Sequence, residues 1–195
     1  MSLRIPLPRS FYLQNTLEVA QNLIGKLLVH RVGGIFLSGF IVETEAYVGP
    51  EDRASHASRG LTKRTSLMFG PPGFAYIYLI YGMYYCFNVV TEREGYPAAV
   101  LIRALEPYEG VPLMLERRRV QSLREVANGP GKLTQALQIT GEMNGWDLCF
   151  SDLWIEEGKK VERIGQGKRI GVHYAGEWKE KPWRFFEVGS EYLSR

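Results

Sequence analysis

The chain is 195 residues long, a size that suits one domain with a full core, and its 45% hydrophobic content is that of an ordinary globular protein. Its 24 Lys and Arg against 21 Asp and Glu leave a formal charge of +3, which permits a nucleic-acid ligand without demanding one. Cys86 and Cys149 have no CxxC, zinc or cluster spacing, no run approaches the ~18 uninterrupted apolar residues of a membrane span, and the opening MSLRIPLPRSFY lacks an apolar core of signal-peptide length. A cytoplasmic chain with free thiols, no metal and no membrane partner is expected.

Asn15 and Glu18 have the spacing of a helix N-cap and its N3 carboxylate, and the apolar positions after them continue a short helix to about Gly25. LLVHRV, Gly33-Gly34 and IFLSGFIVETEAYV predict a strand, a tight turn and a long strand. A polar loop from Gly49 to about Phe69 carries Arg53, Arg59, Lys63 and Arg64, and GPPG at 70–73 punctuates it. FAYIYLI and YYCFNVV, on either side of Tyr81-Gly82-Met83, predict a β-hairpin. YPAAVLIRALEP predicts a further buried strand. Residues 108–127 predict a helix whose run Arg117-Arg118-Arg119 is a solvated face. NGPGKLTQALQI predicts a Gly-Pro loop and a second helix, and SDLWIEE, KRIGV and PWRFFEV predict short strands. With no repeat, linker or low-complexity stretch, the fold expected over residues 1–195 is a single α/β domain: a curved, mostly antiparallel sheet with flanking helices and a protruding β-hairpin.

The long strand contains FIVETEAYVGPEDRASH. Side chains alternate along a strand, so Val42, Thr44 and Ala46 share one face and Glu43, Glu45 and Tyr47 the other. Two carboxylates on an otherwise apolar strand must be paired, hydrogen-bonded or turned to a wet cleft. One reading pairs them with Arg103 or another buried arginine. Another makes one of them a general base that acts on water. A third uses both on a sugar, because residues two apart on a strand lie ~7 Å apart, within the roughly 6.5–9.5 Å of inverting glycosidases. On FAYIYLI, Tyr76, Tyr78 and Ile80 point one way. Tyr81 falls at the hairpin tip, where packing gives an aromatic little reason to be. Wedging between base pairs is one known use of a side chain so placed. His30 and His173 read as structural.

In order, ETEAYVGPEDRASHA, MFGPPGFAYIYLIYGMYYCFNVV, AAVLIRALEP, NGPGKLTQALQI and RIGVHYAGEWKEKPWRF resemble the alkyladenine (3-methyladenine) DNA glycosylase family with the mammalian-type fold, from about residue 10 to the C-terminus. The resemblance implies a repair enzyme that cuts the N-glycosidic bond of a flipped-out alkylated or deaminated purine and leaves an abasic site. It makes Glu45 the general base, with Arg103 beside it and the attacking water. Tyr47, His56 and Tyr78 line the base pocket, Tyr81 fills the gap left in the duplex, and Asn88 crowds the exocyclic amino group of normal guanine. Lys132, with the glycines of NGPGKL, shapes the pocket floor and contacts the DNA backbone. Arg59, Lys63, Arg64, Lys168 and Arg169 are the further candidates for phosphate. ASRGLTKRTS at 57–66 departs from the family's GG…RN pattern, which leaves the individual phosphate contacts there open.

No cofactor and no metal is implied. The pocket motifs hold no lysine for a Schiff base, so no strand cleavage is expected. The implied partner is double-stranded DNA with damaged purines, bound by a monomer. His56 is open between a donor to the leaving base and a residue that only contacts backbone. A binding module on the same fold, without catalysis, is the alternative; it differs at Glu45.

Overall fold

A computed structural model describes residues 4–194. Eight strands form one antiparallel sheet: β1 (Leu27–Val32), β2 (Ile35–Val48), β3 (Ala75–Ile80), β4 (Tyr84–Val90), β5 (Ala98–Glu109), β6 (Leu153–Glu156), β7 (Ile164–Gly167) and β8 (Arg184–Glu187). The main order is β3-β4-β5-β2-β1-β6. β2 is the spine. β5 pairs with one of its edges, while β1 and then β8 share the other, β8 against Glu43–Glu45.

The helices are α1 (Arg9–Tyr12), α2 (Thr16–Asn22), α3 (Val111–Arg118), α4 (Leu123–Val126) and α5 (Pro130–Ala136). α2 packs on β2, and α5 on β4 and β5. Between helices and sheet lies the main core, in which Leu23, Leu28, Ile41, Phe87, Ile102, Leu105, Leu133 and Leu137 are all enclosed. Asn15 caps α2 as its spacing predicts, its side chain accepting from Leu17 N–H at 3.0 Å. The preceding donor, Thr16 N–H, is met by Glu92 of a distant loop at 2.8 Å.

Three expectations change. The predicted helix over 108–127 begins late, because β5 continues to Glu109 and Gly110 (φ 70°) makes the corner. It is then broken at Arg119, which adopts a left-handed φ of 53°, into α3 and α4. The arginine run is a solvated face only in part: Arg119 is exposed, whereas Arg117 and Arg118 donate at 2.6 Å each to Gln138, just past α5, and to Gln135 within it. KRIGV is not a strand. The pairing strand is IGQG just before it, and the Ile170 N–H that would enter a ladder is taken by a carboxylate of β2.

The β2–β5 ladder slips twice within three residues. Ile41 faces Leu105 and Glu43 faces Ala104, so Val42 is extra on β2; Thr44 then faces Ile102, so Arg103 is extra on β5. A bulged residue leaves the ladder and its side chain is re-aimed. Here the re-aimed side chain is Arg103, which reaches Glu43 at 3.4 Å and Glu45 at 3.3 Å.

Candidate active site

A pocket of about 380 Å³ opens between the β3–β4 hairpin, the loop after β2 and the segment after β7. Tyr47, His56, Tyr78, Tyr81, Asn88 and Arg103 all line it, whereas Lys132, expected at the pocket floor, does not. Glu45 lies beneath, fully buried. Its Oε1 accepts the Ile170 N–H at 2.7 Å, and its Oε2 accepts the Tyr47 hydroxyl at 2.9 Å and Arg103 Nη1 at 3.3 Å. Burial pushes the Glu45 pKa above the ordinary carboxylate value, while Arg103, the Ile170 N–H and the Tyr47 hydroxyl pull the other way. Burial, then the charge of Glu45, holds the Tyr47 phenol in its protonated, donating form.

Glu43 has different company. Ser194 N–H donates to it at 2.7 Å, Ser194 Oγ at 3.0 Å and Arg184 Nη1 at 3.0 Å, with Arg103 Nε at 3.4 Å. Neither Arg184 nor Ser194 lines the pocket. The two carboxylates hold one arginine from the same strand face and do not flank a cleft, which removes the geometry a sugar hydrolase needs.

The aromatic wall is built on alternate residues of β3. Tyr76 and Tyr78 stand 5.4 Å apart, and the His56 ring meets Tyr78 edge-on at 4.6 Å. His56 Nδ1 lies 3.0 Å from the Tyr76 hydroxyl. Burial, then the charges of Arg64 and Arg59, lowers the His56 pKa from 6.5 to about 4, so the ring is neutral at neutral pH. The Arg64 guanidinium stacks over Tyr78, 5.0 Å from the ring centroid. Asn88 is fixed as well. Its Nδ2 points at the carbonyls of Tyr76 (3.0 Å) and Cys86 (3.4 Å), which only the amide nitrogen can satisfy.

Tyr81 is 83% exposed at the hairpin tip and reaches the pocket mouth. The turn is tight: Met83 N–H donates to Ile80 O at 3.2 Å, and Tyr81 and Gly82 have φ of 53° and 70°. Two left-handed residues in succession make a type I′ turn.

The basic residues divide. Arg59, Lys63 and Arg64 are exposed on the loop after β2, and Arg64 also lines the pocket. Lys168 is exposed but paired with Glu180. Lys132 donates at 2.8 Å to Oδ1 of Asn128, just before α5, and does not line the pocket. Arg169 departs from the expectation of a phosphate contact. Its side chain is fully enclosed in an ion pair with Asp52, and a guanidinium so covered has no path to a phosphate. Tyr76, Asp52, Ile170 and Tyr174 are the neighbours that sequence reasoning missed. Only Tyr76 carried a signal, its alternation with Tyr78. Among the described residues, no three His, Cys, Asp or Glu side chains gather as a metal site.

The methylpurine-DNA glycosylase family matches residues 10–191, and the chain belongs to that family. Among similar proteins, one from Methanocella arvoryzae is 52% identical over 97% of this chain and 96% of its own length. One from Desulfitobacterium hafniense is 48% identical over 96% of this chain and 98% of its own length, and one from Legionella pneumophila is 48% identical over 97% and 98%. All three bear the name "Putative 3-methyladenine DNA glycosylase".

Proposed function

We propose that this protein is a monofunctional DNA glycosylase of base-excision repair. Its substrate is double-stranded DNA that holds an alkylated or deaminated purine: 3-methyladenine, 7-methylguanine, hypoxanthine or ethenoadenine. It acts as a cytoplasmic monomer and leaves an abasic site. One observation carries the reading: a buried carboxylate, Glu45, held by three donors directly beneath an aromatic pocket with an exposed aromatic at its mouth.

The nucleotide must leave the stack before its bond can be reached, which costs a few kcal/mol. Tyr81 offsets part of that by filling the gap. The base enters between Tyr47, His56 and Tyr78. A cationic base over such ring faces gains ~0.5–2 kcal/mol, and stacking of a neutral base ~1–3 kcal/mol. Because neither contact reads the base edge, rejection of normal guanine falls to Asn88, whose amide cannot turn away from its two carbonyls. As the base departs, the sugar becomes oxocarbenium-like. Ionised Glu45 stabilises that charge and takes a proton from the attacking water. Arg103 keeps Glu45 ionised against the cost of burial. His56, neutral, offers the base a hydrogen bond and not a mobile proton. Arg59, Lys63 and Arg64 are left to meet phosphate.

The test is base release from duplexes with a single hypoxanthine or ethenoadenine, and from methylated DNA, by wild type and Glu45→Gln. Wild type should leave an abasic product with no strand break until alkali, and the variant should bind without releasing base. Salt-sensitive binding by wild type with no release from any of these duplexes would make the protein a damaged-DNA-binding module instead.

A further inference from the structure

We propose that Arg169 is a positioning residue for Glu45, locked in place by Asp52; the role in catalysis rests on the function proposed above. The two side chains are both fully enclosed and meet through two bonds, Nη1 to Oδ2 at 2.5 Å and Nη2 to Oδ1 at 2.8 Å. The remaining Nη hydrogens go to the Ala46 carbonyl at 2.9 Å and the Trp178 carbonyl at 3.1 Å. A buried ion pair is by itself a poor source of stability, because desolvation offsets the attraction. What this pair does is spatial.

Three of its contacts end on groups that touch Glu45. Ala46 is the residue between Glu45 and Tyr47, and its carbonyl is held by Arg169 Nη1. The Arg169 guanidinium stacks on the Tyr47 ring, 4.9 Å from its centroid, and so sets the ring whose hydroxyl donates to Glu45 Oε2 at 2.9 Å. Ile170, the next residue in the chain, donates its N–H to Glu45 Oε1 at 2.7 Å. Asp52 extends the clamp to the pocket wall by accepting from Val48 N–H at 3.2 Å and Ala54 N–H at 3.0 Å. One planar fork therefore joins the end of β2, the loop after it and the segment after β7. Lysine cannot replace it, since an ammonium has three donors, no second arm and no plane to lay on a ring.

The other groups that face Glu45 are Arg103 from β5, Glu43 from β2, Cys86 from β4 and Tyr174 from the segment after β7, and Arg184 of β8 stands behind Glu43. None of them touches Arg169 through a hydrogen bond or ion pair among the described residues. Loss of Arg169 should thus loosen the Ile170 and Tyr47 donors and leave Arg103 in place. Both donors favour ionised Glu45, so its titration should move to higher pH.

Arg169→Lys tests this with two readouts. In the free protein, carbon NMR of labelled glutamate follows the Glu45 titration and needs no DNA. In single turnover with saturating protein, base release should fall about 10²-fold, the loss that a ~1 Å misplacement brings, with lesion-duplex affinity within threefold of wild type. An upward titration shift together with slow release supports the proposal. If wild type releases no base but the titration still shifts, the clamp stands and the glycosylase reading fails. A Glu45 titration and release rate both unchanged in a folded Arg169→Lys would overturn it. Should that variant not fold, the paired neutral variant Asp52→Asn with Arg169→Gln leaves no lone buried charge and is measured the same way. Wild-type titration and rate in that variant would overturn the proposal equally.

Discussion

Tyr81→Asn should make the protein more stable and its action on duplex DNA worse. Tyr81 is the first central residue of a type I′ turn, with φ 53° followed by Gly82 at 70°. Asn-Gly is the pair such turns favour. An L-residue with a Cβ in the left-handed region is strained by about 1–2 kcal/mol, and asparagine is among the few that go there routinely. The tyrosine ring is 83% exposed, so its removal gives up little packing. A net gain of about 0.5–1 kcal/mol follows. At roughly 2–4 °C per kcal/mol for a chain of this length, Tm should rise by about 1–4 °C. Function should move the other way. If the ring fills the hole left by a flipped nucleotide, its loss removes ~1–3 kcal/mol of stacking, or roughly 5- to 150-fold in rate. The loss should fall on a lesion in duplex DNA and spare the same lesion in a single strand, where no hole is made. Thermal unfolding and single-turnover release from the two DNA forms measure both halves. A lower Tm would show that the turn does not strain the tyrosine. An equal loss on duplex and single strand would show that Tyr81 is not a gap filler.

Two further expectations concern pH. Base release should fall as pH drops through the pKa of Glu45, with a midpoint above 4.5 because burial raises it; a limb at or below that value would mean that another group is the base. His56 is held neutral in the fold to about 4, against 6.5 when free. Between those values the unfolded chain binds a proton that the folded chain does not, so this contribution to stability declines as pH falls from 6.5 towards 4. Arg64→Gln should raise the His56 titration in proton NMR, since the Arg64 charge is the largest influence after burial; an unmoved resonance would place the Arg64 guanidinium elsewhere.

Much of the architecture was legible because local signals agreed with long-range ones. Asn15 is a cap in sequence and in space, the Gly33-Gly34 turn and the Tyr81-Gly82 turn fall where glycine puts them, and Glu43, Glu45 and Tyr47 share a strand face. The pocket residues came from motifs, and all but Lys132 line one cavity. What was hidden depends on partners far along the chain. Arg169 and Asp52 are 117 residues apart, and nothing local distinguishes a buried basic residue from an exposed one. The slips that make Val42 and Arg103 extra belong to a pair of strands and to neither alone. KRIGV has strand composition, yet its backbone donor at Ile170 is drawn to a carboxylate. At 108–127, helical composition yielded to an edge of β5 that still had a partner in β2.

The place of β2 in the sheet gives the molecule a centre paired on both sides and a rim paired on one. Around Glu45 the main chain is laced to β5 on one side and β8 on the other, with Ala46 N–H donating to Trp183 O at 2.9 Å. β3 is the last strand of the row, and among the described residues its outer edge is hydrogen-bonded by the segment 144–146 at Ala75 and Ile77. Beyond them the hairpin stands with backbone support from one side. On the function proposed above, a duplex pressed against Tyr81 would meet the part of the sheet with the fewest backbone partners, and behind it the part with the most. The carboxylate and its three donors sit where the main chain is held on both sides. Contact with DNA and the breaking of a bond, the two tasks proposed for this sheet, would then fall at different distances from its edge.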